Sequence, residues 1–107
     1  MSNLLDIREL RQLVERGNLL WQKHCLERMQ EREISTADVM NALATGEVIE
    51  EYPTDYPHPS CLIMGAALDE LPLHVVAGTD GAKVYLITVY VPNTVVFEED
   101  LKTRRGE

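Results

Sequence analysis

Lys83-Val-Tyr-Leu-Ile-Thr-Val-Tyr-Val91 decides the fold, because no other stretch of the chain is so rich in β-branched and aromatic residues. Strict alternation puts Tyr85, Ile87, Val89 and Val91 on one face and Val84, Leu86, Thr88 and Tyr90 on the other. Both faces are largely apolar, which places the strand in the interior of a sheet rather than at its rim. Thr88 and Tyr90 supply the hydroxyls on their face, and Pro92 ends the run. Working back from it, Thr79-Asp80-Gly81 is a hairpin signal, Leu71 to Ala77 an apolar strand, and Asp69-Glu70 the turn before that. Ser60 to Leu68 reads as a longer strand, Pro53 to Pro59 as loop, and Val48 to Tyr52 as the first strand.

The period changes on the N-terminal side. Leu4, Leu5, Ile7, Leu10, Leu13 and Val14 recur at helical spacing, so residues 4 to 16 are predicted as a helix stopped by Gly17. A second helix is predicted over 19 to 33. A third starts at Ser35, where Asp38 completes a capping box and Ile34 and Val39 form a staple, and Gly46 ends it as a left-handed cap. The expected fold is α+β: N-terminal helices packed on one face of a four-stranded antiparallel β-sheet, then a short C-terminal helix or tail.

The chain has 107 residues, 45% of them hydrophobic, which suits one domain spanning 1–107. Met-Ser-Asn-Leu-Leu-Asp lacks the cationic start and apolar run of a signal peptide, and no window approaches a membrane span, so a cytoplasmic protein with no membrane contact is expected. Cys25 and Cys61 form no Cys-x-x-Cys pair and are expected as buried, unbridged thiols. Net charge is −8, unevenly spread: residues 1–34 balance six bases against six acids, and residues 35–100 set Lys83 against eleven acids. Residues 101–107 carry three bases against one acid. Such a middle favours a basic partner and argues against general nucleic-acid binding, so RNA contact would need local basic patches at the edge of the second helix and at Lys102-Thr-Arg104-Arg105.

Chemistry is suggested by the second helix. Leu19, Trp21, Cys25, Leu26 and Met29 share its apolar arc, and His24, Arg28 and Arg32 follow at i, i+4 and i+8 along the edge. An imidazole beside two guanidiniums suits a phosphate ester, the Arg forks binding it and the His exchanging a proton near neutral pH. Against this, Arg on a helix shoulder commonly snorkels to water, and Glu27 and Glu31 can pair with the same cations. His74 interrupts an apolar strand, where packing is the commoner role, and His58 belongs to the Pro-rich loop. A metal site from His24, Cys25, His74 and Cys61 is disfavoured, since adjacent helix residues diverge and no closely spaced ligand pair exists; no cofactor is expected.

Five blocks together carry a resemblance: His24-Cys-Leu-Glu-Arg28-Met29-Gln-Glu-Arg32-Glu-Ile34-Ser35, Gly46-Glu-Val-Ile-Glu-Glu-Tyr52, Pro59-Ser-Cys61-Leu, Pro72-Leu-His74-Val-Val and Ile87-Thr88-Val-Tyr90. With them the chain resembles, from about Leu19 to Arg105, the bacterial domain-of-unknown-function family 4258. Glu33 departs from the pattern, which favours Gly there. That family in turn resembles small ribonuclease toxins of the RelE, BrnT and MqsR kind, with helices first and a curved antiparallel sheet after. The resemblance implies a metal-independent endoribonuclease of a toxin-antitoxin pair, with an antitoxin-like zinc-finger protein as partner and RNA as substrate. Its catalytic residues would be His24, Arg28, His74 and Tyr90, with Arg32 and Thr88 binding substrate. The alternative is a non-catalytic protein-binding module in which a His/Arg/Tyr network fixes helix to sheet. Both readings expect His24 and Arg28 to share one cleft or polar cluster with His74 and Tyr90; wholly buried, mutually hydrogen-bonded groups would favour the network, and a His24 far from His74 would end the catalytic reading of this set.

Overall fold

The computed structural model describes residues 6–106. Helix α1 spans Ile7–Glu15, capped by the Asp6 carboxylate, which accepts from the Arg8 N–H at 2.8 Å. Leu4 and Leu5, expected to open this helix, lie outside the described residues. Gly17, at φ 82°, stops it as expected, while the Gly17 and Asn18 N–H groups return to the Val14 and Leu13 carbonyls.

The predicted second helix is two elements. Leu19–Trp21 is strand β1, and helix α2 occupies only Lys23–Glu31. Strand β1 runs parallel to the 84–86 stretch, so a distant edge with open hydrogen-bonding groups outcompetes the local helical pattern. Helix α2 closes with the Ile34 N–H on the Met29 carbonyl and the Glu33 N–H on the Gln30 carbonyl. This needs a left-handed residue, and Glu33 takes φ 57°, so the turn is as sharp as a glycine would make it.

Helix α3, Thr36–Thr45, opens on the predicted capping box: Asp38 N–H to Ser35 Oγ at 3.0 Å, and Ser35 N–H to Asp38 Oδ2 at 3.1 Å. Gly46 is not a left-handed cap; its φ of −87° and ψ of 175° are extended. Glycine is needed there for space, since a Cβ would lie 2.6 Å from the Ala42 carbonyl oxygen and 2.7 Å from Ile63 Cγ2. The Arg11 guanidinium serves the helix end instead, donating to the carbonyls of Leu43 and Gly46.

Strands β2 (Glu47–Tyr52), β3 (Ser60–Ala66), β4 (Pro72–Thr79) and β5 (Val84–Tyr90) form the predicted antiparallel meander. With β1 the sheet is five-stranded and mixed, ordered β1-β5-β4-β3-β2, rather than four-stranded and antiparallel. The correction also explains the two-sided apolar pattern of β5, which lies between β1 and β4. A bulge at Ile87 corrects its faces: Ala77 pairs with Leu86 but Val76 with Thr88. Val84, Leu86 and Val89 therefore face the helices, and Tyr85, Thr88 and Tyr90 the opposite side, the back face of the sheet. A second bulge at Ile49 sends Val48 to the helix side and Glu50 and Tyr52 to the back.

The core lies between helices and sheet, where Leu10, Cys25, Met29, Val39 and Leu43 pack on Ile63, Val75, Leu86 and Val89. Cys25 and Cys61 are buried and unbridged. The described residues after β5 form no helix. They fold back through a Phe97–Arg104 bridge and lie against the back face, reaching His74 through Phe97 and Leu101.

Candidate functional site

The sheet register places residues from distant segments side by side on the back face. His74 lies opposite Tyr90 across β4 and β5, and Glu50 and Tyr52 project from β2 on the same side. His74 is wholly buried. Its Nε2 is 2.6 Å from the Leu101 carbonyl oxygen and its Nδ1 3.2 Å from the Tyr90 hydroxyl. A carbonyl only accepts, so Nε2 carries the proton and Nδ1 takes the hydrogen bond donated by Tyr90. The Phe97 ring meets the imidazole edge-on at 4.6 Å. Burial pushes the His74 pKa below the usual imidazole value, outweighing the Leu101 hydrogen bond and the nearby Glu50 charge that raise it. His74 is therefore neutral, with both nitrogens engaged.

Beside it, Tyr52 Oη donates to Glu50 Oε1 at 2.5 Å and Arg104 Nε to Glu50 Oε2 at 2.8 Å, while the Arg104 guanidinium lies 4.9 Å over the Phe97 ring. Burial alone would push the Glu50 carboxyl up, but the bonds from Tyr52 and Arg104 overcome it and hold it below the ordinary value. The phenols move the other way: burial raises Tyr52, joined by its bond to Glu50, and burial raises Tyr90. The cluster thus combines an ionised carboxylate, two protonated phenols, a guanidinium and a neutral imidazole. It is open at one end, the Arg104 side chain being 52% exposed and that of Glu50 21%. The other C-terminal bases pair with acids too, Lys102 with Glu47 at 3.0 Å and Arg105 with Glu98 at 3.2 Å.

The predicted constellation divides. His74 and Tyr90 meet, and Thr88 shares their face opposite Val76. His24 and Arg28 do not join them. The His24 side chain is 88% exposed and its Nδ1 is 3.4 Å from Glu27, while the half-exposed Arg28 pairs with Glu31 at 3.2 Å. Both ride on α2, which packs against the other side of the sheet. Arg32 donates to the Val89 carbonyl at 2.6 Å, past the end of the β1 pairing, and so ties α2 to the strand. Cys25 and Cys61 face the helix side, burial pushing the Cys61 thiol up to about 12. Among the described residues no group of three or more His, Cys, Asp or Glu could hold a metal ion. None of their helices is long and apolar enough to cross a membrane.

Sequence reasoning missed Glu50, Tyr52, Phe97, Leu101 and Arg104 as site residues. The spacing of Glu50 and Tyr52, two apart on a strand, was the available signal for the first pair. Arg104 stood out only as part of a basic tail.

Residues 21–91 match the family described as "Domain of unknown function (DUF4258)". No curated protein and no solved structure matches the chain.

Proposed function

This chain belongs to the DUF4258 family, and from that premise we propose that it is a toxin-like endoribonuclease acting without a metal ion, with the back face rather than α2 as its site. The observation that carries this reading is the convergence of three separate sequence blocks, 46–52, 72–76 and 87–90, with Arg104 on one partly open polar cluster. In the reaction a ribose 2′-hydroxyl attacks the adjacent phosphorus and displaces the 5′-oxygen. Glu50, ionised at neutral pH, accepts the hydroxyl proton, and Arg104 swings from Glu50 to the phosphate, where its planar fork neutralises developing charge. Tyr52 gives its proton to the departing 5′-oxygen and takes back the one held by Glu50, its hydrogen-bond partner, so the proton count closes. Tyr90 is held by His74, which is a positioning residue. An antitoxin-like zinc-finger protein is the partner this reading calls for, covering the same face.

One observation favours the second reading, a non-catalytic binding module: no buried side-chain polar atom among the described residues lacks a hydrogen-bond partner, so the cluster is complete as a structural network. Incubation of purified protein with RNA in the presence of EDTA separates the two. The enzyme reading expects cleavage that falls at least about 100-fold in Glu50→Gln with little change in melting temperature. Wild-type protein that neither cleaves RNA nor arrests growth leaves the module.

A further inference from the structure

Tyr85 lies on the back face with Tyr90, at the other end of β5, because the Ile87 bulge brings the two phenols into phase. The His58 ring stacks on it, centroids 5.0 Å apart and planes 12° from parallel. The Tyr85 ring is fixed at its far end: its hydroxyl donates to Asp80 Oδ2 at 2.9 Å, and Asp80 Oδ1 accepts the Ala82 and Lys83 N–H groups at 2.8 Å each. Glycine at 78, paired opposite Tyr85, lets the loop approach closely; a Cβ there would be 3.3 Å from the Pro59 carbonyl oxygen. The same loop carries Tyr56, whose side chain is the most exposed large apolar one of the described residues, at 91%. An aromatic left in water two residues along the chain from a clamped, parallel ring pair is not explained by packing.

We propose that His58 and Tyr85 form a stacking platform for an unpaired base of single-stranded RNA. The group that stacks is flat and uncharged, because the Asp80 carboxylate beside the Tyr85 ring repels phosphate. A base has a π-face that stacks whatever its identity, so the platform gives affinity without strong sequence preference. Gly78 lies four residue steps along β4 from His74, about 13 Å at the usual rise, so one short strand reaches from the platform to Arg104. The inference rests on the ribonuclease reading for its substrate.

The test is an NMR titration of the wild-type protein with AMP and, separately, with ribose 5-phosphate. AMP shifts the His58 and Tyr85 ring resonances and ribose 5-phosphate does not. Rings that stay unmoved, or that respond alike to both, overturn the platform even if RNA is cleaved. Ring shifts in a protein that cleaves no RNA overturn the enzyme reading and leave the platform standing. Where RNA is cleaved, Tyr85→Leu raises KM about ten-fold with kcat held, the loss of one stacked base. His58→Ala gives the same result if Tyr85→Leu folds poorly, and an unchanged KM in a folded variant counts against the platform.

Discussion

On the helix side of the sheet, α2 and α3 meet the strands through Cys25, Met29, Val39, Ala42 and Leu43, all buried and none offering a charge. On the back, the same strands present Glu50, Tyr52, His74, Tyr85 and Tyr90, fixed by directional bonds, Glu50 and His74 to a folded-back C-terminal segment and Tyr85 to Asp80. Two of the three buried polar residues, Ser60 and His74, belong to that side. The contrast teaches that stability and chemistry are divided between the faces. Close packing on one face frees the other to hold groups that a dry core could not accommodate unpaired.

Two glycines measure the contrast. A methyl at Gly65 would overlap the Ala42 backbone, because α3 rests directly on β3 there, whereas at Gly78 on the back the nearest atoms would be 3.3 and 3.4 Å away. Gly65→Ala is expected to destabilise by at least about 3 kcal/mol, since backbone cannot be repacked as a side chain can. Gly78→Ala should cost under about 1 kcal/mol. Denaturant melts of the two variants check this, and equal losses would break the division between faces.

His74 gives the next largest effect. His74→Ala leaves a cavity and an unpaired Leu101 carbonyl, a loss of roughly 3 kcal/mol in the same melts. Because burial lowers the folded-state pKa below the reference value of 6.5, the unfolded chain binds the proton more readily. Stability from this residue is complete above about pH 6.5 and declines as pH falls toward the folded-state value. The melting temperature of wild type should drop from pH 7 to pH 5, and His74→Ala should remove that part of the slope; a wild-type temperature flat over this range contradicts the buried neutral imidazole.

An effect of the opposite sign belongs to the helix side. Glu33 holds a left-handed conformation, so Glu33→Gly should stabilise by about 1 kcal/mol, read as a small rise in denaturation midpoint. A loss instead would mean that the carboxylate makes up for its backbone cost.

Local signals were legible where local physics decides: Gly17 as a stop, the Ser35–Asp38 box, the hairpin at Thr79 to Gly81, and the four meander strands. Illegible were the features set by a distant partner. Leu19–Trp21 fits a helical arc, and only the open edge of β5 makes it a strand. Each bulge adds one residue and reverses the face of every strand residue beyond it, so alternation read through Ile87 put Val89 with Tyr85 and Tyr90 with Leu86. The site was half visible for the same reason. His74 and Tyr90 stood out by type, but Arg104 reaches Glu50 across 54 residues of chain, and no periodicity encodes that return. His24 and Arg28 were drawn to the site by helical spacing and by the family resemblance, and the sheet lies between.

The proposed ribonuclease site is the back face, not the α2 row. Arg104→Lys and Arg28→Lys, compared side by side for RNA cleavage and melting temperature, test it most directly, because each keeps the charge and loses the planar fork. The account predicts that Arg104→Lys loses most cleavage, at least about ten-fold, with a small change in stability, and that Arg28→Lys matches wild type in both. Loss of cleavage in Arg28→Lys with Arg104→Lys unaffected would contradict it.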